Sequence, residues 1–111
     1  MAFIDANNLP VREPRPGWHG RFFHSRHMTF AYYEIDAGAD VQPHRHLQEE
    51  VFHVISGELE ITVDGTTRVV RAGQAAVVES QVKHAARAIT DCRLITVDHP
   101  TRDSVGGVDI R

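Results

Sequence analysis

The sequence predicts a small all-β domain with the architecture of a sandwich or a barrel. Apolar and polar residues alternate in short runs that are rich in β-branched and aromatic side chains, as they do in half-buried strands. No stretch repeats its apolar residues at the helical period of about 3.6 residues. Turn signals recur about every 8–12 residues, a spacing typical of sandwiches and barrels.

Each predicted strand is bounded by a turn. Asp36 to Gly38 ends the first one, and the dipeptides at 56–57 and 64–65, Ser-Gly and Asp-Gly, are turns that join neighbouring strands into hairpins. An Ala-Gly pair at 72–73 precedes the next strand. The predicted strands are Met28–Ile35, Glu50–Ile55, Glu58–Val63, Thr66–Val70, Ala75–Val78, His84–Ile89 and Cys92–Val97.

The ends of the chain carry weaker strand signals. Residues 1–20 are predicted to be an irregular lead-in, because prolines and glycines interrupt them. Residues 104–111, with two adjacent glycines, are predicted to be a flexible tail. We therefore predict one domain over residues 1–111, with its barrel at about 22–100, since domains commonly contain roughly 100–150 residues.

The composition argues against several classes of function. The chain has 12 Lys and Arg, 15 Asp and Glu and a net charge of −3, and without a basic block it is a poor candidate for binding nucleic acid. No apolar run approaches the roughly 20 residues of a membrane helix. The one cysteine, Cys92, excludes an internal disulfide and favours a reducing compartment. We therefore expect a cytoplasmic protein that binds a small molecule and neither nucleic acid nor a membrane.

Histidine is the unusual residue of this chain, with eight copies. His44 and His46 lie two positions apart, so they share one face if the segment is a strand. Glu50 follows a polar bend that lets the chain reverse and return toward His46. The complete pattern from Gly38 to Gly57 is expected by chance roughly 2 × 10⁻⁴ times in a chain of this composition. Imidazole and carboxylate side chains together suit a transition-metal site.

A further ligand is expected from a distant strand. His84 fits best, because it begins a predicted strand whose same-face neighbours are small alanines that leave open volume beside an ion. Glu50 is preferred to Glu49 as the carboxylate ligand, since it shares one face of its predicted strand with the apolar residues Phe52 and Val54. Glu49 is then predicted to lie on the rim, next to the ligands. His53 has the opposite parity to Glu50 and is predicted to point away from the ion as a buried, hydrogen-bonded histidine.

Two segments resemble the conserved motifs of the cupin superfamily. The segment 38–57 is similar to the first motif, Gly-x5-His-x-His-x3-Glu-x6-Gly, at every specified position. The segment 73–88 resembles the second motif, Gly-x5-Pro-x-Gly-x2-His-x3-Asn, with Gly73 and His84 in register. The departures from the second motif are Glu79 for the proline, Gln81 for the glycine and Ala88 for the asparagine. They loosen the turn before His84 and remove a polar pocket residue, but they keep the ligand.

The resemblance covers about residues 22–100 and implies a double-stranded β-helix, the jelly-roll barrel of RmlC-like cupins. It implies one divalent transition ion per chain inside the barrel, and Fe, Mn, Ni, Zn and Co all suit imidazole and carboxylate ligands. The implied ligands are His44, His46, Glu50 and His84. It also implies a homodimer, because small cupins often pair through N-terminal or edge strands.

We expect a metalloenzyme that acts on a small oxygenated organic substrate, with dioxygenase-, isomerase- or lyase-type chemistry. A bound ion with open positions polarises a substrate oxygen or activates water or O2, and Glu50 is a candidate general base beside it. Tyr32 is a candidate acid or oxyanion donor and Phe30 a candidate substrate contact. The sequence does not decide which face of this strand points into the barrel, so the hydroxyl of Tyr33 is the alternative to that of Tyr32.

Two alternatives stay open. The chain resembles the small cupins of pectin breakdown that linearise unsaturated uronates, because the segment 100–103 is similar to their closing Pro-x-Arg-acid segment, although its acidic residue comes one position early. In that case Arg102 is a candidate carboxylate clamp, and His99 is a candidate for the cavity mouth. The other alternative is a non-catalytic cupin that binds a sugar or a small acid as a sensor. The complete set of ligands favours the enzyme.

Overall fold

The computed structural model describes residues 2–111, and β-strands dominate this part of the chain. One 3-10 turn, Ala6–Asn8, precedes the strands. The strands are β1 Arg12–Arg15, β2 Trp18–His24, β3 Thr29–Ile35, β4 Asp40–His44, β5 Glu49–Ser56, β6 Glu58–Val63, β7 Thr66–Arg71, β8 Ala75–Val78, β9 His84–Ala88, β10 Cys92–His99, β11 Ser104–Val105 and β12 Val108–Asp109. No helix in the described residues is both long enough and apolar enough to cross a membrane.

Two antiparallel sheets form the body of the molecule. One has six strands in the order β1-β2-β3-β10-β5-β8, and the other has four in the order β4-β9-β6-β7. Strands distant in sequence are neighbours in both sheets, as β10 is between β3 and β5. A separate hairpin pairs β11 with β12. This arrangement confirms the prediction of an all-β jelly-roll barrel.

The core lies between the inner faces of the two sheets, because both sheets alternate buried and exposed side chains. In β3, Ala31, Tyr33 and Ile35 are buried, whereas Tyr32 and Glu34 between them are exposed. The same period of two holds in β10, where every second residue from Cys92 is buried. The four-stranded sheet contributes buried residues such as Leu59 and Ile61.

Gly57 shows why one of the glycines of the sequence pattern is needed. Its φ of +83° lies in the left-handed region, which side chains other than glycine rarely adopt. A Cβ atom at this position would also collide with the carbonyl oxygen of Asp91. The turn between β5 and β6 therefore requires glycine for two separate reasons.

The N-terminal boundary of the barrel was predicted wrongly. Residues 12–20, which were expected to be part of an irregular lead-in, contain β1 and the first half of β2. β2 pairs with β3 along its whole length, from Trp18 opposite Ile35 to His24 opposite Thr29. The prolines did not prevent this, because β1 is the edge strand of its sheet, where a missing backbone donor is tolerated.

The C-terminal segment also differs from its prediction as a flexible tail. It forms the hairpin of β11 and β12, and the side chains of Val105 and Ile110 are buried in the core. Ile110 also accepts a hydrogen bond through its backbone oxygen from His24 Nε2, at 2.9 Å. The hairpin thus packs against β1 and β2.

Candidate metal centre

Three imidazoles converge between the two sheets. His44 ends β4, His46 follows it in the next loop, and His84 begins β9 directly opposite His44. The ring centroids of His44 and His84 are 4.2 Å apart, and those of His46 and His84 are 4.9 Å apart. One nitrogen from each ring lies within 4.8 Å of the others. The cross-strand pairing of β4 with β9 therefore brings the distant ligand to the His-x-His pair.

Backbone carbonyls orient all three rings. The Nδ1 atoms of His44, His46 and His84 lie 2.9 Å from the carbonyl oxygens of Gln42, Gln48 and Val82, respectively. Because a carbonyl oxygen only accepts, each Nδ1 carries the donated hydrogen, and in the neutral ring Nε2 keeps its lone pair. This hydrogen bond is the one that metal-binding histidines make through their other nitrogen. Burial also lowers the pKa of His44, which favours the neutral ring.

The Glu50 carboxylate lies against two of these Nε2 atoms. Its Oε1 is 3.2 Å from His46 Nε2 and 3.4 Å from His84 Nε2. The buried Nε2 of His84 has no hydrogen-bond partner among the described residues. A nitrogen lone pair that faces a carboxylate oxygen at this distance repels it, so these contacts require either a proton on Nε2 or a cation between the two atoms. Three imidazoles and one carboxylate therefore fit a divalent transition ion, by donor type as well as by geometry.

A second carboxyl group lies beside Glu50. Asp98 of β10 is directly opposite Glu50 of β5, and both side chains are almost fully buried. Arg102 Nη1 is 3.6 Å from Glu50 Oε2 and 3.7 Å from Asp98 Oδ1. The ligand atoms of His46, Glu50 and Asp98 lie within 4.8 Å of one another, so Asp98 adjoins the candidate site.

The two carboxyl groups differ in their affinity for a proton. Burial raises the pKa of Asp98, and the nearby negative charge of Glu50 raises it further. Burial also raises the pKa of Glu50, but its contacts with His46 and His84 and the charge of Arg102 outweigh this and lower the pKa below its usual value. In the absence of a bound ion, both directions favour the proton on Asp98 rather than on Glu50.

A cavity opens beside the imidazoles. Its volume is about 360 Å³ when the open mouth is included. The interior itself has only about 20 Å³, which is room for about one water molecule. Its polar lining consists of Arg15, Tyr33, His44, Glu50, His84, Thr96 and Arg102. Its apolar lining consists of Trp18, Val41, Phe52, Ala86 and Val105. Of the two candidate hydroxyls, the structure thus places Tyr33 in the cavity.

Tyr32 and Phe30 do not reach this cavity, which corrects their prediction as catalytic and substrate-binding residues. Both project from the outer face of β3, where Phe23 stacks on Phe30 at 4.8 Å between ring centroids. Successive side chains of a strand point to opposite faces, and Tyr33 shares the inner face with buried Ala31, so Phe30 and Tyr32 point outward.

The other predicted site residues separate into two groups. Arg102 lies in the cavity wall, as expected of a candidate clamp, but it is already paired with acidic groups. Glu49 and His99 are exposed and lie opposite each other where β5 meets β10, and neither lines the cavity. His53 points away from the imidazoles as predicted, but it is exposed rather than buried, because the outer face of β5 is open to solvent.

Sequence reasoning missed two residues of this site. Asp98 carried a usable signal, since it continues the inward parity of Leu94 and Thr96 in β10. Arg15 carried none, because it lies among prolines and glycines, and only the pairing of β1 with β2 brings it over the cavity.

The sequence and the fold match known proteins. A family model for the cupin domain matches residues 31–98. An uncharacterised protein of Streptomyces coelicolor is 33% identical over 90 residues, which are 80% of this chain and 86% of that protein. The dimethylsulfoniopropionate lyase DddW of Ruegeria pomeroyi is 30% identical over 95 residues, 77% of this chain and 62% of the lyase. The solved structure of KdgF from Halomonas sp. shares the fold, with a TM-score of 0.86 and 24% identity over 93% of this chain and 96% of that one.

Proposed function

The chain belongs to the cupin family, and we propose that it is a metal-dependent enzyme that transfers protons on a small oxygenated organic substrate, in an isomerase- or lyase-type reaction. The observation that carries this proposal is the buried pair of Glu50 and Asp98 next to the three Nε2 atoms. A site that only holds an ion needs no second, buried carboxyl group beside its carboxylate ligand. Proton transfer uses such a group.

The three Nε2 atoms and Glu50 would hold the ion, which supplies Lewis-acid polarisation of a substrate oxygen. Tyr33 presents its hydroxyl to the same cavity, where it can donate a hydrogen bond to that oxygen. Burial raises the pKa of Tyr33, so the hydroxyl stays protonated and remains a donor.

In this proposal the carboxyl pair of Glu50 and Asp98 carries out the proton transfer. Arg102 lies within ion-pair distance of both groups, so it stabilises one negative charge on the pair. Glu50 would accept a proton from a substrate carbon next to the polarised oxygen and return it to another atom of the same intermediate, which restores the negative charge of Glu50, while the adjacent Asp98 keeps its own proton. The relative named as a lyase supports this class of reaction.

The test is hydrogen exchange between substrate and solvent. Metal-loaded protein is incubated in D2O with simple 2-oxo acids and β-diketones, and NMR follows exchange of the hydrogens next to the carbonyl. We expect exchange faster than with the free metal salt, lost on chelation and reduced about 10²-fold or more by Asp98→Asn. Asp103→Asn, at an exposed position, is the matched control and keeps the full rate.

Two results contradict the proposal. O2 consumption without hydrogen exchange assigns the site to oxidation chemistry instead. Stoichiometric metal binding without turnover of any of these compounds favours the non-catalytic binding cupin.

A further inference from the structure

We propose that Arg15 is the carboxylate-binding residue of the cavity and that the substrate is a small monocarboxylic acid with an apolar body. This inference rests on the proposed function, since it names the substrate class of the same site. The residues that carry it are the two arginines of the cavity wall and the apolar side chains between them.

The two arginines of the cavity differ in their partners. The guanidinium of Arg102 is buried between the carboxyl groups of Glu50 and Asp98. Arg15, by contrast, takes part in none of the ion pairs or side-chain hydrogen bonds found among residues 2–111, although it lines the same cavity and is only partly exposed. Arg102 therefore has no free charge to offer a ligand, whereas Arg15 has an uncompensated one.

The charges around the cavity favour an anionic ligand. Glu50 contributes one negative charge, and Arg15 and Arg102 contribute two positive charges. Burial and the like charge of Arg102 both disfavour the cationic form of Arg15 and lower its pKa. A divalent ion on the imidazoles adds to the positive excess. A ligand carboxylate against Arg15 removes this excess and makes a charge-assisted hydrogen bond.

The walls of the cavity select among anions. Trp18, Val41, Phe52, Ala86 and Val105 offer no partners for the hydroxyl groups of a sugar acid, and polar groups buried without partners are costly. A monocarboxylate with an apolar body matches the guanidinium and these side chains, and because the interior has room for only about one water molecule, the body of the acid is placed in the open mouth of the cavity, beside the partly exposed Arg15.

The C-terminal hairpin fixes the position of Arg15. A Cβ atom at Gly106 would lie 2.7 Å from the carbonyl oxygen of Pro14 and 3.1 Å from Cγ of Arg15. Glycine at this turn thus lets the hairpin pack closely over the end of β1, against the aliphatic stem of Arg15. The guanidinium reaches the cavity from a supported position.

The test is calorimetric binding of 4-methyl-2-oxopentanoate to the protein with and without bound metal. We expect the acid to bind, and its methyl ester, galacturonate and inorganic phosphate to bind at least about 10-fold more weakly, because each lacks a charge, an apolar body or a matching size. Arg15→Met weakens binding of the acid about 10-fold or more, and Arg15→Lys weakens it less. The matched control is Arg93→Met, at an exposed position of β10.

The outcomes separate this inference from the proposed function. Equal affinities for acid and ester, tighter binding of phosphate or galacturonate, or an unchanged affinity in Arg15→Met with native thermal stability would overturn the role of Arg15. If Arg15→Met fails to fold, an unchanged affinity in the charge-preserving Arg15→Lys and in Gly106→Ala, which displaces the stem, overturns it. If the protein binds the acid through Arg15 but holds no metal, the proposed function fails and the carboxylate site stands.

Discussion

The two sides of the candidate metal centre are built in different ways. On the imidazole side, each ring is oriented by a backbone carbonyl two residues away, at Gln42, Gln48 and Val82. On the carboxyl side, Glu50, Asp98 and Arg102 come from two strands and a following loop, and they are held by charge and burial. The first side is set by local hydrogen bonds and the second by strand register.

This difference has consequences for substitution. A backbone carbonyl survives every change of its own side chain, so the ring orientations tolerate mutation of the residues that hold them. The buried charges tolerate none, because removal of one partner leaves the others desolvated and uncompensated. We therefore expect changes on the imidazole side to affect mainly metal content, and changes of Asp98 and Arg102 on the carboxyl side to affect mainly stability and proton transfer.

The largest expected effect is on the imidazole side. His84→Ala removes the ligand that links the two sheets, and we expect it to abolish stoichiometric binding of the transition ion, because the remaining donors cannot complete the coordination. Elemental analysis of purified protein measures this, and circular dichroism checks that the variant keeps its β-structure. His53→Ala, on the outer face of β5, should keep its metal. Full metal content in the His84 variant would refute the assignment of this centre.

A smaller effect is expected from the buried cation on the carboxyl side. Arg102→Met leaves Glu50 and Asp98 adjacent without a positive charge, and we expect the metal-free protein to lose about 3 kcal/mol of unfolding free energy. Urea denaturation gives this value, and Arg68→Met is a matched control, because Arg68 is exposed and bonds only the neighbouring carbonyl of Thr67. A loss equal to that of the control would show that the carboxyl side does not depend on charge balance.

The smallest expected change in stability comes from the hydroxyl between the two sides. Tyr33→Phe keeps the ring that packs edge-on against Trp18 and Phe22, so we expect its unfolding free energy to change by less than about 1 kcal/mol. Hydrogen exchange on the substrate should nevertheless slow, because the donor to the substrate oxygen is lost. Tyr32→Phe, on the outer face, should change neither quantity. Equal exchange rates in the two variants would remove Tyr33 from the site.

The sequence was sufficient for the fold class and for the grouping of the predicted ligands. Alternation of polar and apolar residues predicted β3 and β5 to β10 but not β4, β11 or β12. The spacing of His44, His46 and Glu50 predicted residues that the structure brings together. The spacing could do this because a short polar bend and a two-residue period leave few ways to fold that segment. It could not find β1 and β2, where prolines and glycines hid strands that pairing with β3 stabilises.

The amino-acid sequence by itself determined that this chain is an all-β cupin and which side chains are candidates to hold an ion, since both follow from short-range patterns. Tertiary structure alone decided that Tyr33 rather than Tyr32 faces the cavity, that Asp98 adjoins Glu50, and that Arg15 remains uncompensated. The parity of a strand is fixed by which face finds a partner sheet, and the charge state of a buried group by neighbours that arrive from distant strands. Neither quantity is a property of the residue or its sequence neighbours, so both appear only when the sheets have packed.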